Sequence, residues 1–345
     1  MVGFWSSVFW ASILVFGLLI FFHELGHFAI AKLVGIKVHE FSLGFGPKIG
    51  GFLKGETRYN IRIFPLGGFV RMAGMDPEEE DFEAGERGFN KKTVLQRISV
   101  ILAGPLMNFV LAALILAIIF WFQGVPTFAP KVDSLVAGQP AERAGIVPGD
   151  QILAIDGKKI EKWEELKKKI DSSPGKKVNL LIKRGDRELN IAVVPAPQKD
   201  GLGKIGIYPG HELKKVGPVG ALAAGASKTV EFSILIVDFI GRMITGQERP
   251  DLGGPVRVVW EISKAVEMGF IPLLTLAALL SINLGLFNLF PIPALDGSRI
   301  LFLVIERLRG KPVDPRRENF IHLVGFGLLL MLIVVITYND ILQLL

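Results

Sequence analysis

Apolar residues fall in long unbroken runs over four stretches of the chain, at about 5–33, 94–122, 270–291 and 318–344. A helix of roughly 20 residues crosses the hydrocarbon layer of a bilayer, so each run predicts a membrane-spanning helix. A fifth segment, SKTVEFSILIVDFIGRMITG (227–246), is patterned differently. Lys228, Glu231, Asp238 and Arg242 recur at intervals of about three or four, leaving an apolar face opposite. That pattern predicts a helix lying in the membrane interface rather than crossing it. Between the first two runs the period drops to two. In GETRYNIRIFPLGGFVRM, Tyr59, Ile61 and Ile63 alternate with Arg58, Asn60 and Arg62, and VHEFSLGFG alternates through Phe41, Leu43 and Phe45 before it breaks at glycines. These stretches predict β-hairpins with one apolar face, close to the membrane.

Residues 127–197 differ from both flanks. Short alternating strands (KVNLLIKR, RELNIAVV), a charged helix-like stretch (KWEELKKKI) and turns at Pro148-Gly149-Asp150 and Asp156-Gly157 predict a water-exposed, β-rich domain of about 70 residues. The stretch PAERAGIVPGDQILAIDGKKI (140–160) resembles the PDZ family in its circularly permuted form. The resemblance implies peptide capture by strand addition. The expected fold class is therefore a polytopic α-helical membrane protein with about four spans, membrane-associated β-hairpins and one inserted PDZ domain. Its predicted segments are 1–93 (first span and hairpins), 94–126 (second span), 127–197 (PDZ), 198–268 (interfacial helix region) and 269–345 (last two spans).

Composition agrees with this pattern. Half of the 345 residues are hydrophobic and 21% are charged, and the mean hydropathy is +0.45. Lysines and arginines crowd into 32–97 and into ERLRGKPVDPRR (306–317). By the positive-inside rule both belong on the cytoplasmic side. Both termini and the PDZ segment are then extracytoplasmic, as expected of a bacterial inner-membrane protein. The first run lacks a basic start and a small-residue cleavage site, so it predicts a retained span rather than a signal peptide. DPEEEDFEAGE (76–86) predicts a solvated acidic loop. The chain has no cysteine, which excludes disulfides, thiolate metal ligands and thiol catalysis.

The costly residues are in the first run. FFHELGHF (21–28) puts His23, Glu24 and His27 into apolar surroundings, where polar side chains mark function by default. Histidines four apart share a helix face, so both rings can serve one Zn²⁺, and Glu24 on the adjacent face can act on the attacking water. A catalytic zinc has three protein ligands. His39, His211 and His322 are poorly placed to be the third. Asp296, in the helix-breaking NLFPIPALDG after the third run, is a candidate; its plainer reading is a turn or cap carboxylate at the bilayer edge.

HELGH, GFGP (44–47), AGPLMN (103–108) and NLFPIPALDG (288–297), in this order, resemble the site-2 protease family of intramembrane zinc metalloproteases over nearly the whole chain. The similarity is to bacterial members that cleave anti-sigma factors and signal-peptide remnants, here with a single PDZ domain. The resemblance implies His23, His27 and Asp296 as zinc ligands, Glu24 as general base, and Asn288 at the substrate backbone or the developing oxyanion. An interhelical hydrogen bond is the other reading of Asn288. The implied partners are single-pass membrane proteins already cut by another protease, a peptide at the PDZ domain and the lipid bilayer, with no nucleic acid. The hairpin at 56–71 would offer backbone to an unwound substrate. Competing readings are an inactive PDZ-bearing membrane scaffold, a zinc protease of soluble peptides, and, more weakly, a transporter.

Overall fold

A computed structural model describes residues 2–75, 85–198, 201–248 and 253–344; most of the acidic segment 76–86 lies outside them. The chain forms two compact units, Met1–Ile119 with Pro218–Leu345, and Phe120–Gly217.

The first unit opens with helix α1 (Val2–Leu33). Strands β1 (Val38–Lys54) and β2 (Thr57–Met72) follow, joined at Gly55-Glu56, with Gly55 at φ 62°. The ribbon is bent on itself, so Phe41 of β1 faces both Val70 and Tyr59 of β2. The alternation read from the sequence is present, but its facing changes along the ribbon: Phe41 and Tyr59 pack into the core, and further along the apolar residues turn outward. Asn60 is buried, whereas Phe52, Ile61, Ile63 and Phe64 are exposed. Glu40 collects Ser42 Oγ (2.6 Å), Asn60 Nδ2 (2.7 Å) and Arg62 Nη2 (2.6 Å) on one oxygen. Burial alone would raise its pKa; these donors outweigh it and hold the carboxyl at about 2. An outward apolar sheet face with a polar network behind it suits a sheet set against lipid. Helix α2 (Val94–Gln123) then returns past α1.

The second unit is β3 (Val125–Leu135), α3 (Pro140–Arg143), β4 (Gln151–Ile155), β5 (Lys158–Lys159), α4 (Trp163–Asp171), β6 (Val178–Arg184), β7 (Arg187–Val193), β8 (Ala196–Pro197), β9 (Gly203–Lys204) and β10 (Ile207–Lys214). Its main sheet has the order β10-β3-β4-β6-β7, with β5 beside β4. Strand β10 pairs along β3 from Ile207–Leu135 to Lys214–Val125. Ile152, Leu166, Leu180 and Ile182 are fully buried in its core. Asp156 (φ 48°) and Gly157 (φ 76°) make the tight turn between β4 and β5.

Asp150 is buried against Arg184 (Nε to Oδ1, 2.8 Å) and takes the Val147 N–H. Its pKa is lowered: burial opposes ionisation, but the Arg184 bonds and the Val147 amide prevail. The stabilisation is thus present above the ordinary carboxylate range and lost as pH falls through the depressed value. Arg184→Ala is expected to destabilise this unit, because it leaves the buried Asp150 carboxylate without its charged partner. Its acid unfolding should move to higher pH. Amide exchange of β4 and β6 in the full chain reads both effects.

The chain re-enters the first unit as α5 (Pro218–Ile244), α6 (Pro255–Met268), α7 (Phe270–Leu289), α8 (Asp296–Arg309) and α9 (Pro315–Leu344). Among the described residues five helices are long and apolar enough to cross a membrane: α1, α2, α5, α7 and α9. The fifth, α5, begins well before the segment singled out in the sequence, because PVGALAAGA extends it toward α2. There a Cβ at Gly225 would meet Ala113 O at 2.4 Å. Its charges pair along the helix, Lys228 with Glu231 at 2.7 Å and Arg242 with Asp238. Two short helices, α6 and α8, were not anticipated. The buried carboxylate of Asp340 in α9 caps α6, accepting the N–H groups of Gly254 (3.0 Å) and Arg257 (3.0 Å).

Candidate metal centre

Helix α1 carries His23 and His27 one turn apart, and their Nε2 atoms lie 3.2 Å from each other. Asp296, the first residue of α8, brings Oδ2 to 3.2 Å from His23 Nε2 and 3.3 Å from His27 Nε2. That oxygen is buried with no hydrogen-bond partner among the described residues. Ligand atoms of a tetrahedral zinc, each about 2.0–2.1 Å from the ion, are spaced about 3.3 Å apart. The three atoms fit that spacing. Two neutral imidazoles and one carboxylate are also a donor set typical of zinc.

Close helix packing makes the convergence possible. A Cβ on Gly26 would sit 2.2 Å from Ala103 O, and one on Gly104 would sit 2.2 Å from His27 Nε2. These two glycines let α1 and α2 approach until the Val100 carbonyl is 2.8 Å from His27 Nδ1. Asn108, a turn further along α2, places its amide 3.1 Å from His23 Nδ1.

Asp296 depends on the last helix. The loop before it turns at Ala294, which has φ 75°, a conformation that costs a non-glycine residue of order 1 kcal/mol or more. His322 Nδ1 accepts the Ala294 N–H at 3.0 Å, and Gly325 leaves room for Pro293, whose Cβ would be 2.1 Å from an added Cβ. Gly297 is equally constrained, with Phe290 O 2.2 Å from its Cβ position.

Glu24 is half-buried on the neighbouring face of α1. Strand β2 passes beside it, for a Cβ at Gly68 would be 3.0 Å from Glu24 Cγ. Asn288 is half-buried near the end of α7, and its side chain has no hydrogen-bond partner among the described residues. His39 and His322 lie outside the three-atom cluster. Sequence analysis had Gly104 and Asn108 only as parts of the AGPLMN motif and His322 only as a poorly placed ligand, with no contact assigned to any of them. The available signal was cost, since a glycine or an asparagine inside a membrane-length helix has to be offset by a specific contact.

Membrane-length helices that enclose a His–His–Asp set define a membrane-embedded metalloprotein with a separate β-rich domain, one that resembles a PDZ fold in sequence. The chain belongs to peptidase family M50, whose family model matches residues 11–332, and is thus a zinc metalloprotease by family. It is 38% identical to the zinc metalloprotease RasP of Geobacillus kaustophilus, covering 95% of this chain and 96% of that protein. It is 36% identical to the regulator of sigma-W protease RasP of Bacillus subtilis, with 96% and 97% covered. Among solved structures, the PDZ domain of an SdrC-like protein from Listeria innocua matches at 31% identity over 24% of this chain and 96% of that one, with a TM-score of 0.22.

Proposed function

We propose that this chain is an intramembrane endopeptidase that cuts the membrane-spanning segments of single-pass proteins after another protease has shortened them. Anti-sigma factors and remnant signal peptides are the candidate substrates, as the name of the Bacillus subtilis relative suggests for the first class. The observation that carries the reading is the meeting of three ligand atoms at tetrahedral spacing, two on the membrane-length helix α1 and the third directly after the membrane-length helix α7.

In this reading His23, His27 and Asp296 hold zinc. Zinc supplies Lewis acidity at the scissile carbonyl and makes water nucleophilic near neutral pH. Glu24 accepts the proton of the attacking water and hands it to the leaving amine. The amide of Asn288, which has no partner among the described residues, donates to the oxygen on which charge develops. A helical substrate hides its scissile carbonyl in hydrogen bonds, and β2 can offset the cost of unwinding. Residues 68–72 of β2 pair with β1 on one side only, leaving an edge beside Glu24 for strand addition. In the β-rich domain, a groove between α4 (Trp163, Lys167, Ile170) and Gly203–Pro209 suits an extended peptide.

The levels of the contacts support a four-span topology. Asp296 meets His23 and His27, so α7 runs parallel to α1, and α2 runs back between their ends. His322 and Asp340 are on one helix, 18 positions apart, so Asp340 lies about 27 Å from the level of the metal. The start of α6, capped by Asp340, and the start of α7 are therefore both on the far side, where α2 also ends. The chain between α2 and α7 must cross an even number of times. If α5 crossed, residues 245–253 would have to recross without a span-length helix, which lipid does not tolerate. We therefore read α5 as an interfacial, partly inserted helix, giving four spans. The basic loops support a reading with the metal toward the cytoplasmic side and both termini and the β-rich domain outside.

The test is to compare membrane-protein fragments made by the parent and by Glu24→Gln, mapping the new ends by mass spectrometry. Cuts inside apolar segments of span length support the reading; cuts confined to water-exposed regions overturn it. Asp296→Ala is expected to lose most bound zinc, as read by metal analysis of the purified protein.

A further inference from the structure

Both histidines present Nε2 to the metal centre. A neutral imidazole that ligates through Nε2 carries its proton on Nδ1, so whatever faces Nδ1 must accept a hydrogen bond. For His27 that group is the Val100 carbonyl, an acceptor only. For His23 it is the side chain of Asn108, with Nδ2 at 3.1 Å. An amide nitrogen donates and cannot accept. The acceptor end of the same side chain, Oδ1, is buried with no partner.

A half-turn about the Asn108 Cβ–Cγ bond exchanges the two ends, which have the same shape. It sets Oδ1, an acceptor, against His23 Nδ1, where a ring N–H needs one. The backbone at this point is fixed. Asn108 is fully buried, and its carbonyl receives the Ser281 hydroxyl of α7 at 2.8 Å.

We infer that Asn108 is a positioning residue for a divalent cation held at this centre. Its Oδ1 accepts the His23 Nδ1–H, selects the tautomer with a free Nε2 lone pair, and aims that lone pair at the point shared with His27 and Asp296. The inference rests on the zinc reading of the site. It gives each histidine its own acceptor, both supplied by α2.

The experiment is zinc affinity of the purified full-length protein, measured by competition with a chromophoric chelator. Asn108→Asp keeps an acceptor at the same reach, Asn108→Leu keeps the shape without it, and Asn108→Ser is small enough to pack but too short to reach Nδ1. Leu and Ser are expected to weaken zinc binding about 10–100-fold, while Asp binds at least as tightly as the parent. Rescue by Asp separates this role from packing, since Asp and Leu fill nearly the same space. If the Leu variant does not fold, the Asp-to-Ser comparison decides. Zinc binding by Ser equal to the parent, or by Asp as weak as by Ser, would overturn the inference. Asp296→Ala in the same assay keeps the two claims apart. If the parent binds no zinc, the metal centre itself is wrong. If the parent binds, Asp296→Ala does not, and the Asn108 variants match the parent, then only the role of Asn108 fails.

Discussion

Glu24→Gln is expected to lower peptide hydrolysis by about 10²–10⁴-fold, the usual range for removing a general base, with zinc content unchanged. Gln has the shape of Glu and cannot take a proton. Glu24 is also not one of the three residues whose ligand atoms converge, so the metal has no reason to leave. Cleavage of a membrane substrate and zinc stoichiometry should be measured on the same preparation. Unchanged cleavage would remove Glu24 from the chemistry, and loss of zinc would make it a ligand instead.

Gly104→Ala is expected to weaken zinc binding on the order of 100-fold, although it alters no chemical group at the site. The added methyl would occupy the place of His27 Nε2, 2.2 Å away. The ring cannot yield easily, because its Nδ1 is tied to the Val100 carbonyl of the same helix that carries the methyl. Either α2 moves off α1 or the ring turns, and both shift Nε2. Overpacking should also cost about 1–3 kcal/mol. Gly17→Ala is the matched control, since nothing lies within 4 Å of its Cβ position; it should be neutral or gain up to about 1 kcal/mol of helix propensity. Equal zinc affinity in the two variants would refute the close-packing account.

What the sequence disclosed follows from where the physics is local. HELGH is legible because three polar groups stand one turn or less apart on one element. Asp296 is legible as a candidate because Pro291, Pro293 and Gly297 interrupt a long apolar run. The β1–β2 alternation and the turns at Gly149 and Asp156-Gly157 depend only on neighbouring residues. The remainder depends on which distant surfaces touch. Gly26 and Gly104 read as ordinary small residues until α1 and α2 are brought together. His322 seemed remote from the site because its distance from Asp296 along the chain hides the Ala294 contact. The extent of α5 was missed because its charges mark only the C-terminal part, while PVGALAAGA is there to fit Ala113. The β10–β3 pairing joins residues about 80 apart in sequence, which no local period reveals.

The wide spacing of the three converging side chains along the chain has a consequence for synthesis. About 270 residues separate His23 from Asp296, and at roughly 5–20 residues per second the ribosome needs tens of seconds to bridge them. During that interval the HELGH helix exists without its aspartate, and the whole β-rich domain is made before α7 can follow. The Ala294 turn also needs His322, so the aspartate is fixed only when the last helix arrives. The three-atom site is therefore complete only at the end of translation, once the final helix has been made and has docked.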